Sequence, residues 1–238
     1  HIAVHDAKVF VAYAHAPAPR GRPDVFVIAS EDGGRTFFSP FKLTEGPAGH
    51  YQPALAVGSS GSVIYVAWSE LDPGATSAAI KFARSLDPAE GKGFRPALTI
   101  SGAGLAFKPK IASDDAQNIY VVWESGGNSA SQRVIEFCRS ADGGKTFSTP
   151  RRLSPTGEFG DPNILWLGGE LHVVWRSLTV GGGAVFYSGS KDRGERFSAP
   201  VAIPGSETTT APLDDFIPLF RLGPGPDFGL LFTDVGTP

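Results

Sequence analysis

The chain is poor in the residues that usually announce chemistry. It has one cysteine, Cys138, so no internal disulfide can form and cysteine usage says nothing about redox compartment. Neither sign of charge dominates. The 21 basic and 24 acidic residues give a net charge of −3, which excludes the basic excess of a nucleic-acid footprint. No apolar run approaches the ~20 residues a bilayer-spanning helix needs. Methionine is absent, the chain opens at His1 and no signal peptide is visible, which leads us to expect a processed mature protein or an excised stretch of a longer one.

Glycine, proline and aromatic residues are plentiful. Thirty glycines, twenty prolines and 11% aromatics suit many short strands joined by tight turns, and 238 residues fit one large all-β domain. A repeat settles the organisation. SADGGKTF (140–147) recurs as SEDGGRTF (30–37), SKDRGERF (190–197) and, with two extra residues, SLDPAEGKGF (85–94), each closed by a proline (Pro40, Pro96, Pro150, Pro200). Self-similarity with a period of about 50–55 residues marks a repeat architecture. Within each copy, glycine (Gly34, Gly144, Gly194) supplies the positive φ of a reversal. The aspartates Asp32, Asp87, Asp142 and Asp192 can accept turn amides beside Ser30, Ser85, Ser140 and Ser190. Phe37, Phe94, Phe147 and Phe197 are expected to plug the turns into an apolar layer.

These octapeptides resemble the Asp-box, S-x-D-x-G-x-x-[WF], of the sialidase-like (BNR-repeat) β-propellers. Three copies fit fully and the second in part. The resemblance implies a propeller of four-stranded antiparallel blades, with the boxes as structural turns on the rim, away from any site. It also implies secretion to the periplasm, cell surface or medium. Alanine-, glycine-, proline- and arginine-rich usage suits a GC-rich bacterial source.

The clearest strand in each repeat reads VFVAYAH (9–15), IYVAWSE (64–70), IYVVWES (119–125), LHVVWRS (171–177) and FGLLFTD (228–234), apolar enough to be buried on both faces. Tyr13, Trp68, Trp123, Trp175 and Phe232 share one position, read as large side chains packed between blades. Cys138 is matched by Ile28, Ala83 and Ser188 and is read as a small packed residue. First strands are expected at 2–5, 54–58, 110–113, 163–167 and 216–222. The blades then span about 1–43, 53–100, 109–153, 162–203 and a partial 214–238, so the set is expected to be part of a larger ring of five to seven blades. An open fifth blade leaves a strand edge that a partner chain could complete.

Chemistry is expected at the end opposite the boxes, on loops held by the rigid strands. Residues just after the large aromatic differ between repeats (Ala14-His15, Ser69-Glu70, Glu124-Ser125, Arg176-Ser177, Thr233-Asp234), as do the first-strand entries Tyr51-Gln52, Phe107-Lys108, Gly160-Asp161 and Asp214-Asp215. The candidates are Glu124, Asp161, Arg176 and Tyr51 for catalysis, and His15, His50, Glu70, Arg133, Asp214 and Asp234 for binding. Solvated loop charges or inter-blade ion pairs explain such residues equally simply. Sialidases use three arginines on the substrate carboxylate, an acid/base aspartate and a tyrosine activated by a glutamate, and they open with an F/Y-R-I-P segment. That segment is missing from HIAVHDAKVF, so a complete sialidase site is not expected.

Three readings follow: a non-catalytic propeller that binds a glycan or a protein at its mouth, a glycoside hydrolase using Glu124 with Asp161 (or Glu70), and a module of a larger assembly. No cofactor and no metal is called for. Ser113-Asp114-Asp115 and Asp214-Asp215 carry oxygen ligands that would suit structural calcium, without an EF-hand spacing.

Overall fold

The computed structural model describes residues 1–18, 21–114, 116–126, 132–178 and 183–206, with the backbone of two further strands at 219–221 and 228–230. Four antiparallel four-stranded blades follow one another along the chain, and a single parallel bridge between Ala78 and Leu105 joins the second and third into one sheet. Blade one is β1 (Ile2–His5), β2 (Lys8–His15), β3 (Asp24–Ser30) and β4 (Phe41–Lys42). Blade two is β5 (Gly49–Val57), β6 (Ile64–Leu71), β7 (Ala78–Ser85) and β8 (Leu98–Thr99). Blade three is β9 (Leu105–Ser113), β10 (Ile119–Gly126), β11 (Arg133–Ser140) and β12 (Arg151–Arg152). Blade four is β13 (Phe159–Leu167), β14 (Glu170–Ser177), β15 (Val185–Ser190) and β16 (Val201–Ala202). An antiparallel pair follows, β17 (Leu219–Arg221) with β18 (Phe228–Leu230).

The core lies in layers between blades. Phe10, Ala12, Val25 and Val27 of blade one meet Leu55, Ile64, Val66 and Trp68 of blade two. Ala67, Ile80 and Phe82 meet Val121, Trp123 and Cys138. Tyr120, Val122 and Phe137 meet Leu171, Val173 and Trp175. Strands β6, β10 and β14 are therefore covered on both faces, which is why their sequences lack polar alternation. Trp68, Trp123 and Trp175 are at most 2% exposed, each stabilising its layer by roughly 2–3 kcal/mol of buried apolar surface.

The repeated turns cap the third strands. Ser30 Oγ donates to Asp32 Oδ1 (2.8 Å) and accepts from the Gly34 amide (2.9 Å), while Asp32 takes the Thr36 amide and hydroxyl at 2.9 and 2.6 Å. The turns at 140–147 and 190–197 repeat this pattern. Hydrogen bonds from Thr36 lead the causes that hold Asp32 at about 2, and those from Arg196 do the same for Asp192. The second turn absorbs its extra residues in a 3-10 turn, Ala89–Gly91. There Ser85 bonds the Lys92 carbonyl and the Asp87 amide.

Two expectations need correction. Phe147 and Phe197 lie edge-on to Phe82 and Phe137 of the preceding blade, at 4.7 and 5.0 Å, and Phe94 stacks on Phe41. Phe37, however, is 45% exposed, because no described blade lies ahead of blade one to receive it. The first strands of blades two to four also begin earlier than expected. They run through Pro53, Pro109 and Pro162, which had marked loop ends, because each proline sits in a bulge where the pairing register shifts.

Candidate functional site at the mouth

Those bulges build the site. Gln52, Lys108 and Asp161, each followed by proline, have φ of 52°, 52° and 51°. A residue with a Cβ in the left-handed region costs about 1–2 kcal/mol, and proline normally pushes its predecessor toward extended backbone. The same strain in three blades, under three different side chains, marks an imposed backbone feature.

A bulge also leaves an amide without a ladder partner. Here it is taken up by a side chain from the preceding blade, at the position just after the tryptophan. The Lys108 amide donates to Ser69 Oγ (3.2 Å) and Gln52 Oε1 (3.1 Å), and the Asp161 amide donates to Glu124 Oε1 (2.7 Å). Glycine at 160 makes the second contact possible, since a Cβ there would lie 2.9 Å from Glu124 Oε1 and 2.8 Å from Leu178 Cδ1.

The side chains then close a charged cluster. Lys108 Nζ lies 2.6 Å from Asp161 Oδ1 and 3.0 Å from Glu124 Oε1. Arg176 Nε pairs with Asp161 Oδ2, and the Arg133 guanidinium stands 3.8 Å from Glu124 Oε2. Glu124 is buried at 4% exposure, Asp161 and Arg176 are largely covered, and Lys108 and Arg133 open to solvent. Burial pushes the Asp161 carboxyl up, but the Lys108 bond and charge, then Arg176, outweigh it and hold it below the usual range. Burial opposes the Lys108 charge, yet Asp161 and Glu124 raise its pKa overall. Two residues along the same strand, burial lowers Lys110 to about 8. Lys110 lines a cavity of about 370 Å³ with His1, Asn163 and Trp166, where first strands converge.

Of the expected residues, the structure brings Glu124, Asp161, Arg176 and Arg133 together. Tyr51 folds its ring over Gly49, where a Cβ would meet it at 2.6 Å. His50 is 1% exposed, with Nδ1 3.3 Å from Asp24 Oδ1 and Nε2 3.3 Å from Glu70 Oε2, at the junction of blades one and two. Lys42 and Lys81 complete that second cluster. His15 is exposed, edge-on to Phe26. Asp115, Asp214 and Asp234 lie outside the described residues. Asp114 accepts from the Ala116 and Asn118 amides, Asn118 Nδ2 and the Tyr120 hydroxyl. The candidate set omitted Lys108, Gln52 and Ser69. The residue before a proline at one repeat position would have pointed to the first two. Among the described residues no group of three or more His, Cys, Asp or Glu side chains is arranged to hold a metal ion, and no helix is long and apolar enough to cross a membrane.

Blade-like sheets stacked face to face, with repeated turns at one end and a polar cluster at the other, define an all-β protein with the fold of the sialidase-like β-propellers. Solved structures agree on the fold. A Hadza microbial sialidase, Hz136, superposes with a TM-score of 0.66 at 15% identity over 88% of this chain and 46% of its own. The Trypanosoma rangeli sialidase in complex with sialic acid gives 0.65 at 12% identity, over 95% and 41%. The GH43 β-1,3-galactosidase BT3683 gives 0.56 at 12% identity, over 84% and 74%. The chain thus spans less than half the length of the two sialidases. No protein-family sequence profile and no curated protein matches it.

Proposed function

We propose that this chain is an exported carbohydrate-recognising propeller that binds its ligand at the mouth without cleaving it. The observation that carries this reading is the strained bulge repeated at Gln52, Lys108 and Asp161. It fixes backbone geometry while varying the polar groups it presents, as a recognition surface requires. Gln52, Lys108 and Arg133 supply the solvent-facing donors, and Glu124, Asp161 and Ser69 hold them in place. The solved structures with this fold include a sialidase in complex with sialic acid and a β-1,3-galactosidase, which supports a sugar over a protein as ligand.

Binding is favoured over hydrolysis by the state of Asp161, the carboxyl at the centre of the cluster. A glycosidase needs one carboxyl kept protonated to serve as acid. Asp161 is held ionised by Lys108 and Arg176. The second reading, a glycoside hydrolase, draws on the closeness of those two carboxylates across Lys108. Screening the purified chain against neutral and acidic oligosaccharides, alongside release assays on the same sugars, separates them. Binding that Lys108→Ala weakens, without turnover, is the expected result. Turnover that Glu124→Gln abolishes would establish the hydrolase instead, and no binding to any sugar would remove both. Recovery of the native protein only from cytoplasm would contradict export.

A further inference from the structure

At the rim, the junction of blades three and four is filled from within. Arg139 donates to the Arg193 carbonyl at 2.9 Å and pairs with the Glu195 carboxylate. Arg151 donates to the carbonyls of Gly194 and Glu195, its guanidinium 5.2 and 5.1 Å from the ring centres of Phe137 and Phe197. Ser148, whose amide donates to the Arg139 carbonyl, stands at the edge.

The junction of blades two and three keeps this frame and changes the filling. Phe82, Arg84, Gly144 and Phe147 take the places of Phe137, Arg139, Gly194 and Phe197, and Arg84 donates to the Gly143 carbonyl at 2.7 Å. Strand register sets Leu98 opposite Phe82 as it sets Arg151 opposite Phe137. Lys145 replaces Glu195, and Arg95, whose amide donates to the Arg84 carbonyl, replaces Ser148. Leucine cannot donate to the carbonyls of residues 144 and 145, and lysine cannot pair with Arg84. An open cavity of about 180 Å³ remains, lined by Phe82, Arg84, Arg95, Pro96, Leu98 and Lys145. Among the described residues none of its three cations is in an ion pair, whereas Arg139 is.

We infer that this cavity is a docking site for an acidic peptide segment of another protein, whose carboxylate takes on Arg84 the place that Glu195 takes on Arg139. The neighbouring junction shows the chemistry that fits the frame: a carboxylate on the arginine and N–H donors on two turn carbonyls. A peptide carrying glutamate or aspartate supplies both, the donors coming from its backbone. Guanidinium and carboxylate match as planar, paired partners. Arg95 and Lys145 are exposed and add attraction that salt screens, while Pro96 and Leu98 offer an apolar contact beside them.

Titrating the isotope-labelled chain with N-acetyl-glutamate N-methylamide, followed through backbone amide shifts, tests this. Saturable shifts at Gly143, Gly144 and Lys145 are expected, with the glutamine analogue about tenfold weaker or worse. Lys145→Glu supplies the carboxylate from within, as the fourth turn does, and Leu98→Arg fills the cavity as Arg151 does. Both residues are exposed, and each substitution should abolish the shifts. Absence of saturable shifts, an equal response to the glutamine analogue, or binding retained in both variants would overturn the inference. Stronger shifts of the same amides with glucuronate would assign the cavity to an acidic sugar and overturn it too.

Discussion

The two ends of the blades repeat in opposite ways. At the rim, residues and geometry recur together: serine, aspartate and glycine make the same hydrogen bonds at 30–37, 140–147 and 190–197. At the mouth only the backbone recurs, with φ near 52° before proline, while the side chain changes from Gln52 to Lys108 to Asp161. Constant residues mark what every blade needs in order to stack. Varied residues on a constant strained backbone are the part of the molecule that we propose meets a ligand.

The largest effects should come from breaking the buried side of the mouth. Glu124→Ala leaves Lys108 without one partner and the Asp161 amide unsatisfied in a covered site, so we expect a loss of about 4 kcal/mol in urea unfolding. At the rim, Gly144→Ala adds a Cβ 2.7 Å from Phe82 in a left-handed conformation and should cost about 3 kcal/mol. Gly34→Ala meets only φ strain and should cost about 1 kcal/mol. Equal losses at the two glycines would break the distinction between a received turn and an open one.

Acid sharpens the comparison further. Asp161, Asp32 and Asp192 all have folded pKa values below their unfolded ones. Their stabilisation is complete above the unfolded value of about 3.9 and is lost as pH falls through the folded values. For Asp32 and Asp192 that window runs from about 4 to about 2. Asp161→Asn and Asp192→Asn should each flatten the acid limb of a pH–stability curve, and a curve unchanged by Asp161→Asn would show that carboxyl is not held ionised. The smallest effect is Gln52→Gly. It relieves the left-handed strain and should raise stability by up to ~1 kcal/mol while weakening ligand binding.

Most of the scaffold was legible because its signals are local. A serine, an aspartate and a glycine within one turn satisfy one another, and apolar strands announce two covered faces. The mouth was half legible. Glu124, Asp161 and Arg176 could be singled out because repeats that agree elsewhere differ there. Lys108 and Gln52 stand among the same varying entries as Asp161 but were not chosen as candidates. The bulges that carry the strands through Pro53, Pro109 and Pro162 were not foreseen because such prolines look like loop ends. His50 seemed a mouth residue by position. That Asp24 and Glu70 would bracket it inside a junction depends on how neighbouring blades pack, which no single repeat encodes.

Titrating the chain calorimetrically with the tightest-binding oligosaccharide, beside Lys108→Gln and Arg139→Gln variants, tests the division of labour between the two ends. Loss of a charge-assisted bond at the mouth should weaken Kd by roughly 10- to 100-fold, with the rim variant matching the unaltered chain. Undiminished affinity in Lys108→Gln, or a weakening confined to Arg139→Gln, would contradict it.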